Sequence, residues 1–74
     1  MNVFRTRDLG FASALYCNGY KLISKDEFRP GYFEFVFEES ASFEQDNYFN
    51  GTMRVRAVDY FSAIKSLKAF ITNN

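Results

Sequence analysis

Tyr32-Phe33-Glu34-Phe35-Val36-Phe37-Glu38-Glu39 decides how the rest of this 74-residue sequence is read. Side chains alternate across a pleated strand, so Phe33, Phe35 and Phe37 share one face while Glu34, Val36 and Glu38 share the other. The first face is apolar enough to be buried and the second is half wet. Upstream, Tyr20 to Phe28 is strand-like, and Pro30-Gly31 follows in the order of a type II turn, with proline fixing φ and glycine taking the positive φ. Together these features predict an antiparallel hairpin with one buried side.

Working outward, Asn2 to Arg5 suits a short edge strand. Thr6 offers an N-cap, with Asp8 in the first turn where a negative charge suits the helix dipole. Leu9, Ala12, Leu15 and Tyr16 recur at helical spacing with Phe11 beside them, and Asn18-Gly19 is a C-terminal stop. After the hairpin, Ser42 and Gln45 have the spacing of a capping box, opening a short helix through Phe43, Tyr48 and Phe49 that ends at Asn50-Gly51. Thr52 to Val55 reads as a brief strand, with Met53 and Val55 pointing in and Arg54 and Arg56 pointing out. The last segment is helical. Ala57, Phe61, Ile64, Lys68 and Ile71 lie along one stripe, which Val58, Tyr60, Leu67 and Phe70 widen. Only Ser62, Lys65, Ser66 and Ala69 make a plainly polar side, so the helix needs a partner or a deep seat on the sheet. Together these elements predict a single α+β domain over residues 1–74. It is a small two-layer domain, an antiparallel β-hairpin sheet packed by two main helices and one short helix.

A chain this short buries only roughly 60% of its unfolded surface. Small folds often answer with disulfides or a metal, but here there is one cysteine, Cys17, and no histidine. Ten Phe and five Tyr must compensate, each ring burying roughly 150–250 Å². That is more aromatic surface than a core of this size hides, and a second copy of the chain is the simplest cover, which predicts a homodimer. The lone thiol, the opening Met-Asn-Val-Phe-Arg without a leader pattern, and the lack of a membrane-spanning apolar run point to the cytoplasm, of a cell or of an infected host.

Without histidine, His-based acid–base catalysis, Ser/Cys triads built on His and His metal sites are excluded. The four glycines are scattered at turns and form no phosphate loop. Cys17, near the end of an amphipathic helix, reads as a structural cysteine. Glu34 and Glu38 share a strand face, yet no base, nucleophile or metal-loop spacing complements them, so they read as a solvated face that discourages edge-to-edge pairing. The chain is therefore read as no enzyme, with no catalytic residue, metal or cofactor.

Net charge is zero, which argues against a general polyanion binder. Its distribution is uneven: residues 1–25 carry +3, residues 26–46 carry −6 and residues 47–74 carry +3. Two binding readings follow. If the ends meet in the fold, Arg5, Arg7, Arg54, Arg56, Lys65 and Lys68 make one basic patch for nucleic acid, with Tyr16, Tyr20, Tyr48 or Tyr60 available for base stacking. Alternatively, Glu34, Glu38, Glu39 and Glu44 on the acidic middle imitate a nucleic-acid backbone or mate with a basic patch on a host or partner protein.

Several spacings also carry a resemblance. Phe4-Arg5-Thr6-Arg7-Asp8-Leu9 leads into a helix ending in Asn18-Gly19-Tyr20-Lys21-Leu22; then come Phe35-Val36-Phe37-Glu38, Tyr48-Phe49-Asn50-Gly51, Val55, Phe61 and Leu67-Lys68. The pattern resembles, over nearly the whole chain, a family of short prokaryotic and phage proteins catalogued only as a domain of unknown function. The resemblance implies a compact stand-alone domain, often on mobile elements, with no established reaction and no catalytic residues to transfer. The leading expectation is a non-enzymatic, self-associating binding module acting on nucleic acid or a nucleic-acid machine. The alternative is a phage-type protein–protein inhibitor or adaptor using the acidic hairpin face.

Overall fold

The structure is a computed structural model that describes residues 2–72; Met1, with which the reading of a native start begins, lies outside them. The order is β1 (Val3–Thr6), α1 (Leu9–Cys17), β2 (Leu22–Arg29), β3 (Tyr32–Glu38), a 3-10 helix (Glu39–Glu44), α2 (Gln45–Phe49) and α3 (Ala57–Thr72). It is an α+β domain whose three-stranded antiparallel sheet has the order β1-β3-β2.

The alternating stretch forms the central strand. Phe35 and Phe37 are buried and face the helices, joined there by Phe4 and Thr6 of β1 and by Leu22 of β2 through the register. Gly31 takes φ 82°, as the Pro30-Gly31 link between Arg29 and Tyr32 requires. Val36 departs from the half-wet expectation, being only 3% exposed on the opposite face. Arg5 explains it. That residue pairs with Val36 in register on β1, yet its guanidinium reaches Asp26 on β2 at 2.5 Å. Strands lie about 4.8 Å apart, so the Arg5 stem must cross β3 and cover Val36.

α1 begins at Leu9 because Thr6 is still in the strand. The cap is Asp8, not Thr6: its Oδ1 accepts from the Phe11 amide at 3.1 Å, while the Thr6 hydroxyl accepts from the Asp8 amide. Phe11, Ala12, Ser13, Ala14 and Leu15 are all buried, which marks α1 as the centre of the helical layer. Phe11, Ala12 and Leu15 form the core with Phe35, Phe37, Ala41 and Leu67.

The same position creates one orphan. Ser13 Oγ is fully buried and finds no hydrogen-bond partner among the described residues. Leaving a hydroxyl unpaired costs about 1–3 kcal/mol. Ser13→Ala is expected to raise stability by about 1 kcal/mol, read as a thermal midpoint higher by about 4–8 °C in a domain of this size. A lower midpoint would mean that the hydroxyl has a partner.

Three other local expectations change. Ser42 does not cap a helix, because the chain is already helical from Glu39 and a cap residue needs extended backbone; its carbonyl instead accepts from the Gln45 amide. Thr52–Val55 is not a strand. Asn47 O accepts from the Thr52 and Met53 amides and so ties the segment to α2; Met53 packs on the core while Val55 is exposed. In α3 the inward face is Tyr60, Ala63, Ile64, Leu67 and Ile71, so Phe61 and Lys68, predicted to share the packed stripe, turn outward. α3 packs chiefly on α1 rather than on the sheet.

The three helices converge on Gly10. The Tyr60 hydroxyl donates to its carbonyl, the Tyr48 hydroxyl donates to Asp8, and a Cβ there would lie 3.2 Å from the Tyr48 oxygen. A bare backbone lets α2 and α3 close over the start of α1.

Candidate functional site

Part of the charge in the two binding readings is paired within the chain, Arg5 and Arg7 of the basic set with Glu34 of the acidic one. On the outer sheet face Arg5 contacts Asp26 at 2.5 Å and Glu34 at 3.3 Å, and Arg7 reaches Glu34 at 3.3 Å. The Arg7 guanidinium also lies 3.8 Å from the Phe28 ring centroid. Hydrogen bonding to Asp26, assisted by Glu34 and opposed by desolvation, holds the Arg5 guanidinium still more firmly charged. Two bulges in β2, between Leu22 and Ser24 and between Glu27 and Arg29, help aim these side chains and leave Ile23 and Phe28 exposed.

The other basic residues lie elsewhere. The Asn18 amide donates to the Arg54 carbonyl at 3.0 Å, at the end of α1 remote from Arg7. At 1.5 Å per residue, α1 alone separates these points by about 14 Å. Lys65 and Lys68 are exposed on α3, on the helical side of the sheet. The six basic residues therefore do not form one patch. Arg56 pairs with Asp59 at 3.5 Å, whereas Arg54, Lys65 and Lys68 make no ion pair among the described residues.

The tyrosines considered for base stacking are similarly committed. Tyr48 and Tyr60 donate to Asp8 and Gly10. Burial first, then the Asp8 carboxylate, pushes the Tyr48 hydroxyl above its ordinary value. Burial and then Glu44 do the same to half-buried Tyr20. Tyr16 alone of the four is well exposed.

The acidic set is largely engaged too. Glu34 holds two arginines, and the Glu44 carboxylate accepts from the Asn47 amide at 2.8 Å. Glu38 accepts from the Lys21 backbone amide at 2.7 Å and from the Ser40 hydroxyl. The Ser40 bond first, then the Lys21 amide, holds its carboxyl below the ordinary value of 4.5. A depressed folded value contributes stability above the unfolded value, and this is lost as pH falls through the folded one. Glu38→Gln is thus expected to narrow the stability gap to the parent as pH drops below 4.5. Urea titrations across that range check it; a gap independent of pH would refute it. Glu39 is exposed and makes no ion pair among the described residues.

A groove of about 520 Å³ runs between the end of α1 and the second half of α3. Tyr16, Tyr20, Lys21, Ile23, Ser66 and Phe70 line it. Its walls are mostly apolar and aromatic, with Lys21 among them. Among the described residues no group of three or more Cys, Asp or Glu could hold a metal ion, and no helix is long and apolar enough to cross a membrane.

The largest uncovered features are apolar. Phe43 is 81% exposed, Phe49 71%, Val58 77% and Phe61 66%. They fall into two stripes. Phe43, Asp46 and Phe49 follow one another at intervals of three along the 3-10 helix and α2, with exposed Glu39 on the neighbouring row. Val58, Phe61, Lys65 and Lys68 follow at three- and four-residue intervals on the outside of α3. The spacing of both was available in the sequence, but not the direction in which each helix turns. Comparison with protein-family models, curated proteins and solved structures finds no match to this chain.

Proposed function

We propose that this chain is a non-enzymatic binding module that self-associates through the apolar residues its helical layer leaves uncovered. The observation that supports it is the exposure of Phe43, Phe49, Val58 and Phe61 together in a chain of this size. Large exposed apolar surface marks interaction sites. These four side chains offer on the order of 500 Å² per copy, a large part of the roughly 800 Å² that each partner contributes to a standard interface. The homodimer expected from the aromatic surplus gains its support here, and a cytoplasmic setting remains part of the proposal. Kinship with short prokaryotic and phage proteins would suit such a stand-alone module.

Sedimentation equilibrium from micromolar to hundreds of micromolar tests the reading. A concentration-dependent rise toward twice the chain mass is expected; one chain mass throughout would refute it.

Action on nucleic acid is a second reading, favoured by Lys65 and Lys68 standing beside Phe61 without ion-pair partners among the described residues. It loses Arg5 and Arg7 to Glu34. Anisotropy of labelled single-stranded DNA, duplex DNA and RNA at low salt would reveal it, with Lys65→Ala/Lys68→Ala flattening the salt dependence. The acidic-face inhibitor reading is weakened in the same way, since Glu34, Glu38 and Glu44 are already held within the fold.

A further inference from the structure

The two uncovered stripes are complementary to each other. On α3, Val58 and Phe61 are followed by Lys65 and Lys68; on the 3-10 helix and α2, Phe43 and Phe49 flank Asp46, with Glu39 exposed on the neighbouring row. Each stripe is apolar with charge of one sign, and the signs are opposite. None of these four charges forms an ion pair among the described residues, whereas Arg5, Arg7 and Arg56 on the same chain all do. Both stripes are carried by helices that meet the start of α1, α2 through Tyr48 on Asp8 and α3 through Tyr60 on Gly10, so both lie near that end of α1.

We propose that the occupant of both stripes is a second copy of the chain, with the α3 stripe of each protomer seated on the Phe43–Asp46–Phe49 stripe of the other. The assembly is a closed pair with a twofold axis. Such an axis makes both contacts at once and repeats every residue pairing, so one complementary match is used twice. The apolar side chains provide the driving force, and the lysine–carboxylate pairs fix which face meets which. Pairing like with like would set Asp46 against Asp46 or lysine against lysine, which is unfavourable. This inference rests on the self-association reading and adds to it the identity of the two faces.

A charge exchange tests it. Lys65→Glu/Lys68→Glu and Glu39→Lys/Asp46→Lys alter exposed side chains, and circular dichroism of each variant verifies that the fold is kept. Each double variant alone confronts like charges at both contacts and is expected to dissociate at least about tenfold more readily than the parent. Mixed in equal amounts, the two restore opposite charges at both contacts, and sedimentation should show a mixed pair of twice the chain mass. A parent that is monomeric at every concentration overturns self-association itself. So does a monomeric parent that binds nucleic acid through Lys65 and Lys68, which would assign the stripe to that partner. A parent dimer that both variants leave intact overturns only this pairing of faces, as does a mixture that fails to reassociate. Growth beyond two copies overturns the closed twofold arrangement.

Discussion

Phe37→Ala is expected to remove a large share of this chain's folding stability. Phe37 is fully buried on the central strand, opposite Phe4 on one neighbour and Leu22 on the other. It belongs to the same cluster as Phe11, Leu15, Ala41 and Leu67, in which the central strand and the helices meet. Truncating a buried Phe costs about 3–5 kcal/mol, through lost transfer energy and the cavity left behind. At the usual 0.05–0.15 kcal/mol per residue a chain of 74 residues has only about 4–11 kcal/mol to lose. With no disulfide to constrain its unfolded state, little remains to offset the loss. Urea titration followed by far-ultraviolet circular dichroism at 25 °C should show a loss of about 3–5 kcal/mol, with the midpoint lowered in proportion. A loss below about 1 kcal/mol would mean that the core closes elsewhere.

That Phe37 lies on the buried face could be read from sequence, together with Phe33 and Phe35, because apolar and polar residues alternate there and a strand has only two faces. The Pro30-Gly31 turn and the Asn18-Gly19 and Asn50-Gly51 stops were legible for a similar reason, since the positive φ at Gly19, Gly31 and Gly51 is a local demand of the backbone. Asp8 shows the limit of local signals. Thr6 and Asp8 both suit a cap, and the choice depended on where β1 stopped pairing with β3.

The candidate sites were less legible because their charges are resolved by tertiary contacts. Arg5 meets Asp26 and Glu34 at sequence separations of 21 and 29 residues, and no local pattern announces those encounters. Two readings that looked opposed, a basic patch and an acidic face, turn out to share Glu34, Arg5 and Arg7 in one network. Exposed pairs of this kind contribute little stability, because solvent screens them. Their larger consequence is for recognition, since charge satisfied within the chain attracts a partner weakly. That shifts the weight of interaction to the helical side, where Lys65, Lys68, Glu39 and Asp46 lie beside uncovered rings.

Leu67→Ala and Phe61→Ala should separate sharply, although both remove a large apolar side chain from the middle of α3. The sequence places apolar residues on so much of this helix that several faces could have been the packed one, and Phe61 was assigned to it. In the fold Leu67 is 1% exposed in the core and Phe61 is 66% exposed. Leu67→Ala is therefore expected to cost about 2–5 kcal/mol, while Phe61→Ala should change the stability of a dilute chain by less than about 0.5 kcal/mol. Urea denaturation at low micromolar concentration measures both. At high concentration the order should change for a different observable: Phe61→Ala weakens self-association while its fold persists. Equal losses of stability would place both residues in the core and remove Phe61 from the proposed interface. A Phe61→Ala chain that is stable when dilute but no longer associates when concentrated would tie the outward ring of α3 to binding.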